Sequence, residues 1–397
     1  MRCAGARYDT AGRSVIRMVP GRSNELFLDI TELVGNPLRT GIQRVEREII
    51  RYWPGPQRLA PCHFDAARQE FVRLPEAVFG ILGSDAAAPG ADEHELLRPH
   101  LSEGAALSPG ALSAGLFNPE VFFDAARAAA YRRICRQPGA RVSWLLFDFL
   151  PYLRPQDYPP GTARSCMHYI RALREIPRVS SISELTQIEY TTRIMRDETR
   201  SGPHFPLGGD GPQIEKQHFR PDKTSFAYIG TIEPRKNVAV ILEAFEQLWA
   251  SGVTAELIVI GRLDSRSTRE QPMLERLRGE PRFRYLGHVD DATVRAVMQQ
   301  VRATLFVSAV EGFGIPPYES LAAGVPVIVS PKLPSTDLLA PGGRITIPEI
   351  TPQAVAAAVK DLLDDEKAAR LWREASGLVI PTWRRFVSDL AVWVQSA

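Results

Sequence analysis

The chain has 397 residues, comfortable for two domains and long for one, and its 44% hydrophobic and 24% charged residues are an ordinary globular balance. A formal net charge of +2 gives no case for nucleic acid as a partner. Cys3, Cys62, Cys135 and Cys166 form no C-x-x-C pair and the histidines show no metal spacing, so we expect free thiols, a reducing compartment and no bound metal.

Residues 1–23 carry charges throughout without periodicity and read as a loose extension, not a secretion leader. No run approaches the ~20 apolar residues that span a bilayer. A cytoplasmic protein is expected, with peripheral contact at the inner face of the membrane left open. Glu25 to Ile30 reads as a first strand. A polar stretch with Gly41 follows, then a helix from about Ile42 to Tyr52 with Ile42, Val45, Ile49 and Ile50 as its apolar stripe and Arg44 in its first turn. Strand, glycine-bearing loop and helix open a nucleotide-fold half, although glycine at such a turn is most often only a turn.

Residues 55–140 show little pattern, and the Ala/Gly/Ser-rich tract from Gly83 to Gly115 reads as loops. The next clear strand is Val142 to Leu146, which runs into Phe147-Asp148-Phe149-Leu150-Pro151. Asp148 stands at that strand's carboxyl end, as a candidate acceptor-side base or, equally, as a turn cap. A helix from Ala163 to Glu175 spaces Arg164, His168, Arg171 and Arg174 along one face. A solvated face is the first reading; a dock for an anionic acceptor or lipid head group is the second. Val179 to Ile182 is a short strand leading to Ser183 and Glu184. The Pro/Gly-rich stretch from Pro203 to Pro221 reads as an interdomain linker, which sets a first domain at 24–205, a linker at 206–222 and a second domain at 223–378.

The second domain opens with a strand from Phe226 to Gly230, then Thr231 to Asn237 with Arg235 and Lys236, then a helix from Val238 to Trp249. Strands follow at Ala255–Ile260 and Phe283–Leu286, a helix at Asp291–Gln300, and a strand at Leu305–Val307. Next come the loop Glu311-Gly312-Phe313-Gly314, a helix with Pro316 or Pro317 in its first turn and Gly324 past its end, and a strand at Val325–Val329. That loop lies at a strand's carboxyl end, where open α/β sheets bind ligands. Its glycines let the backbone approach a ligand, and free N–H groups at the helix start suit a diphosphate. Glu311 and Glu319, eight residues apart, would repel a diphosphate but accept hydrogen bonds from sugar or ribose hydroxyls. The plain alternative is a βαβ crossover with two solvated glutamates. Thr382 to Val394 forms an amphipathic helix with Trp383, Phe386, Leu390 and Trp393 on one stripe.

The segment EGFGIPPYESLAAGVPVIVS, residues 311–330, closely resembles the E-x7-E signature of retaining glycosyltransferases of family 4. The resemblance is strong over 223–332 and weaker before it. It implies an α/β chain of GT-B fold, with two Rossmann-like domains facing across a cleft and a last helix, 379–397, crossing back to the first domain. It also implies a nucleoside-diphosphate sugar donor held mainly by the second domain, a glycan or lipid-linked acceptor on the first, and neither cofactor nor metal. Arg235 and Lys236 would stabilise the leaving diphosphate in the metal's place. Glu311 would hold the donor sugar's hydroxyls and Glu319 the ribose. Gly41 and Gly230 would approach the phosphates, His288 and Val289 the nucleobase, and Phe313, Gly314 and Ile315 would complete the donor site. Asp148 joins Glu311, Arg235 and Lys236 as catalytic candidates.

One departure matters. Many family members carry His-Asp-x-x-Pro where this chain has Phe147, and phenylalanine cannot bond a sugar hydroxyl. Either the ring faces the sugar, favouring a 6-deoxy donor such as rhamnose over mannose, or it points into the core. The expected reaction is hexosyl or deoxyhexosyl transfer in surface polysaccharide biosynthesis, by front-face displacement. A GT-B nucleotide-sugar epimerase and a non-catalytic binding relic are the competing readings.

Overall fold

The computed structural model describes residues 25–35, 40–55, 57–83, 93–101, 104–211 and 214–396. The extension at 1–23 lies outside the described residues. Two six-stranded sheets organise the chain. The first holds β1 (Glu25–Asp29), β2 (Arg58–Asp65), β3 (Glu70–Arg73), β4 (Leu116–Asn118), β5 (Val142–Leu146) and β6 (Arg178–Ser181) in the order β3-β2-β1-β4-β5-β6. Only its edge pair, β2 and β3, is antiparallel. The second holds β7 (Ser225–Ile229), β8 (Glu256–Ile260), β9 (Phe283–Gly287), β10 (Ala303–Phe306), β11 (Val327–Val329) and β12 (Arg344–Thr346), all parallel, in the order β12-β11-β10-β7-β8-β9.

Counted from its own first strand, each sheet runs 3-2-1-4-5-6, the doubly wound order whose ligand crevice opens between strands 1 and 4. That crevice falls between β1 and β4 in the first sheet and between β7 and β10 in the second. The central strands β5, β8 and β10 are buried on both faces, which is why they read as unbroken apolar runs.

The illegible stretch 55–140 supplies three strands and several helices of the first sheet. Within the tract read as loops lie a helix at Glu93–Leu101 and another at Pro109–Ser113, the latter capped by the Ser108 side chain on the Ala111 N–H. The Pro/Gly-rich stretch is not a free tether either. Leu207 is buried, and a Cβ on Gly208 would come within 2.2 Å of the Trp383 backbone nitrogen. Asp210 accepts from the Trp383 N–H at 2.7 Å, opening the helix Trp383–Gln395.

That last helix packs Trp383, Phe386 and Leu390 into one core cluster with Leu26, Val45 and Ile49 of the first half. Phe313 and Tyr318 of the second half enter the same cluster. Arg178 closes the helix's far end, donating to the Trp393 carbonyl at 2.7 Å and stacking over its ring. The arginine-bearing helix, Thr162–Leu173, keeps Arg164 and Arg171 in solvent, as does Arg174 just past its end; this is the solvated face of the first reading.

The first sheet's crevice is filled by its own side chains. Arg127, fully buried, pairs with Asp29 at 2.7 Å and with Glu120, and reaches Glu32 at 3.1 Å. Glu46 lies against this group with neither carboxylate oxygen bonded. Burial, and next the neighbouring Glu120, push Glu46 well above the usual carboxylate range; burial first pushes Glu120 up to about 8, against the pull of Arg127. The folded protein therefore keeps protons that the unfolded chain releases near 4.5. The stability they contribute is full below that value and is lost as pH rises through the folded values. We predict that Tm falls between about pH 5 and about pH 9 and that Glu46→Gln flattens this fall, each carboxyl contributing at most about 1.4 kcal/mol per pH unit. An unchanged slope in Glu46→Gln would show that Glu46 carries no such proton.

Candidate active site

Two loops meet at the crevice of the second sheet. The first leaves β7 through Gly230, whose N–H donates to the Ile260 carbonyl at 2.9 Å, and ends in a single 3-10 turn, Pro234–Lys236. Asn237 then takes a left-handed conformation, φ 53°, that starts the helix Val238–Ala250. Asparagine tolerates this region better than most residues. The second loop leaves β10 and runs through Glu311 to the helix Ile315–Ala322.

These loops are braced to each other. The Asn237 amide donates to the Val307 carbonyl at 2.9 Å, and the Ala309 N–H donates to the Arg235 carbonyl at 2.8 Å. Arg235 donates to the Val310 carbonyl at 2.9 Å and pairs with Glu311 at 2.8 Å and Glu233 at 2.7 Å. Lys236 lies 3.5 Å from the same Glu233 oxygen. Ser308 holds the other Glu311 oxygen at 2.7 Å. The sequence-derived Arg235, Lys236, Glu311 and Gly230 are thus brought together.

Asp148 joins them from the first half. Its Oδ1 accepts from the Leu150 N–H at 3.1 Å, so it does cap a turn. Its carboxyl also abuts the glutamate loop: a Cβ on Gly312 would fall 2.8 Å from the Asp148 Cβ, which leaves room only for glycine. Burial pushes the Asp148 carboxyl up, and Arg235 pulls it partly back. Gly314 has φ 94°, which an L side chain rarely adopts, and a Cβ there would meet Leu333 at 2.8 Å. Ser183, at the start of the helix Glu184–Glu189, ties the halves together by donating to the Gly312 carbonyl at 2.8 Å.

Further along the cleft, Glu319 pairs with Arg44 at 2.5 Å, and Ile315 faces the position where Gly41 would carry a Cβ, at 3.7 Å. Two aromatic rings near the site go to the core. Phe313 is 3% exposed and packs edge-on to Tyr318 at 5.2 Å, so its ring belongs to the core and only its backbone remains for a donor. Phe147 is 4% exposed in the same apolar cluster, so its ring points inward and no longer argues for a deoxy sugar. His288 is exposed, as a surface histidine would be, and Val289 is half-buried against the sheet.

Sequence reasoning missed Glu233, Asn237, Ser308 and Arg266. Arg266 pairs with Asp264 at 2.7 Å, reaches Glu233 at 3.4 Å, donates to the Asp157 carbonyl and lies over the Tyr158 ring. Glu233 was findable, since a carboxylate two residues before an arginine can hold it; Arg266 offered no signal. Asn237→Ala removes a half-buried bond and leaves a β-carbon in the left-handed region, so we predict a loss of about 1–3 kcal/mol in chemical denaturation. A neutral result would show that the brace is not structural.

With this geometry in hand, comparisons with known proteins are informative. The chain is 28% identical over 338 residues to the serotype-specific mannosyltransferase WbdA of Escherichia coli, an alignment covering 77% of this chain and 39% of that protein. It is 31% identical over 148 residues to the O-antigen chain mannosyltransferase B of Escherichia coli, covering 37% of this chain and 38% of that one. The chain thus spans well under half the length of these relatives. The crystal structure of Anabaena Alr3699/HepE in complex with UDP and glucose superposes with a TM-score of 0.60 at 13% identity, covering 94% of this chain and 97% of that one, a likeness of fold. Two parallel α/β halves and this neighbour establish the GT-B fold. Residues 211–377, the stretch that holds Arg235, Lys236, Glu311 and Glu319, match the family model for glycosyl transferases group 1.

Proposed function

We propose that this protein is a retaining, metal-independent glycosyltransferase of the family 4 kind, transferring a mannose-like hexose from a nucleoside-diphosphate sugar to a glycan or lipid-linked acceptor in polysaccharide biosynthesis. The observation that carries the reading is Arg235 and Lys236 held beside Glu311 in the crevice between β7 and β10. The mannosyltransferase names of the aligned relatives support a mannose-like donor, and the inward Phe147 ring removes the ground for a deoxy one.

The cations are balanced by Glu233 and Glu311. A bound diphosphate would offer Lys236 and Arg235 stronger anionic partners and release Glu311 toward the sugar's hydroxyls. As the glycosidic bond breaks, charge develops on the leaving phosphate, and fixed cations in a closed cleft stabilise that charge more than they stabilise the ground state. The leaving phosphate would take the acceptor hydroxyl's proton on the same face, which preserves the anomeric configuration. Asp148, buried opposite Glu311, would orient the acceptor.

Transfer assays with labelled GDP-mannose, UDP-glucose and GDP-rhamnose test the reading. Product formation supports it, whereas an epimerised donor or binding without turnover would replace it with an epimerase or a relic. Lys236→Ala should lower kcat by on the order of a hundredfold, the scale of one lost transition-state donor, and an unchanged kcat would refute the role. Activity should persist in excess chelator, and its abolition there would overturn the account in which protein cations do the work of a metal.

A further inference from the structure

Resting on the reading that Glu319 receives the donor's ribose, we propose that Arg44 is a donor-positioning residue: by pairing with Glu319 across the cleft it keeps that carboxylate ionised and aimed for the ribose hydroxyls.

Arg44 belongs to the helix Gly41–Tyr52, which Thr40 and Gln43 start with a reciprocal capping box, so its first turn is fixed in place. The guanidinium lies where the crossover segment has Gly211; a Cβ there would stand 2.3 Å from Nη2, so a glycine makes room for it. From that seat Nη1 reaches Glu319 Oε1 at 2.5 Å, on the helix Ile315–Ala322 of the other half. Both side chains are mostly buried, with 27% and 11% exposed. A carboxylate has about four acceptor sites, so one ion pair leaves capacity for ribose hydroxyls.

The charges around Glu319 explain why it needs a partner. Burial first, with Asp291 and Glu48 adding to it, pushes Glu319 up to about 7 against the pull of Arg44. Glu48 faces it from Arg44's own helix and Asp291 from the start of the helix Asp291–Gln300. Without Arg44 only raising influences remain, and removing an opposite charge commonly moves such a group by a pH unit or more. A neutral carboxyl offers the ribose fewer acceptor sites and none of the strength of a charged one.

The test uses the full-length protein and calorimetric binding of GDP and UDP, each against its 2′,3′-dideoxy analogue from about pH 5.5 to about pH 9. Both members of a pair share the titrating phosphate, so the ratio of their affinities isolates the hydroxyls. In the wild type that ratio should rise with pH through about 7. In Arg44→Ala the rise should move to about pH 8 or above, lowering the ratio roughly fivefold at pH 7, because about a tenth of the carboxyl is then ionised in place of about half. Arg44→Lys should restore the wild-type profile, and Glu319→Gln should leave a ratio independent of pH. An Arg44→Ala profile that coincides with the wild type overturns the proposal while leaving the ribose role of Glu319 standing. A wild-type ratio near one at every pH overturns that ribose role itself, and with it this inference.

Discussion

The site depends on one guanidinium that stitches two loops together. Arg235 bonds Val310 and Glu311 from the far side of the crevice while its own carbonyl takes the Ala309 N–H. Loops that leave neighbouring strands at a switch point are otherwise independent, and ordering each alone would cost conformational entropy. Here their mutual contacts order them as one body, the kind of preorganisation on which electrostatic stabilisation relies. The same contacts hold the cations in check. Any anion entering the crevice would have to displace Glu233 and Glu311 from them.

A second dependency joins the halves. Phe313 and Tyr318 emerge from the glutamate loop and its helix, yet their rings pack with Trp383, Phe386 and Leu26. The loop that carries Glu311 is therefore anchored in a core that the first half and the last helix build jointly. Ser183 on the Gly312 carbonyl and the fit of Asp148 against Gly312 add polar and steric contacts at the same seam. Interdomain surfaces within one chain are usually modest and polar, which makes relative motion the ordinary expectation. A shared aromatic cluster at this seam confines any such motion to directions that keep those rings buried.

The second half was legible because its signals are local. Buried parallel strands read as apolar runs, a glycine or proline marks each turn, and Glu311 and Glu319 lie within one loop and helix. The first half hides its strands. β2 runs RLAPCHFD, with a proline and a histidine in it, and β4 has three residues, too few for any periodicity to register. The ends of β7, β10 and β11 were misjudged by one or two residues; Val307 and Val325, for example, are apolar and buried yet lie outside the strands. Arg266 was invisible because its relation to Glu233, Asp157 and Tyr158 exists only after folding. For Phe147 the sequence left two orientations open, and for Phe313 it could not separate ring from backbone; in both, the core takes the ring.

The two halves share one strand order but not one use for it. In the second the gap between its first and fourth strands stands ready for a ligand; in the first, Asp29, Glu120 and Arg127 close the equivalent gap as a permanent internal plug. Buried Arg127, with Asp29 and Glu120 around it, fills that space as surely as a bulky side chain would. Which half keeps its crevice clear is thus set by Arg127 and the carboxyls around it, deep inside the first half.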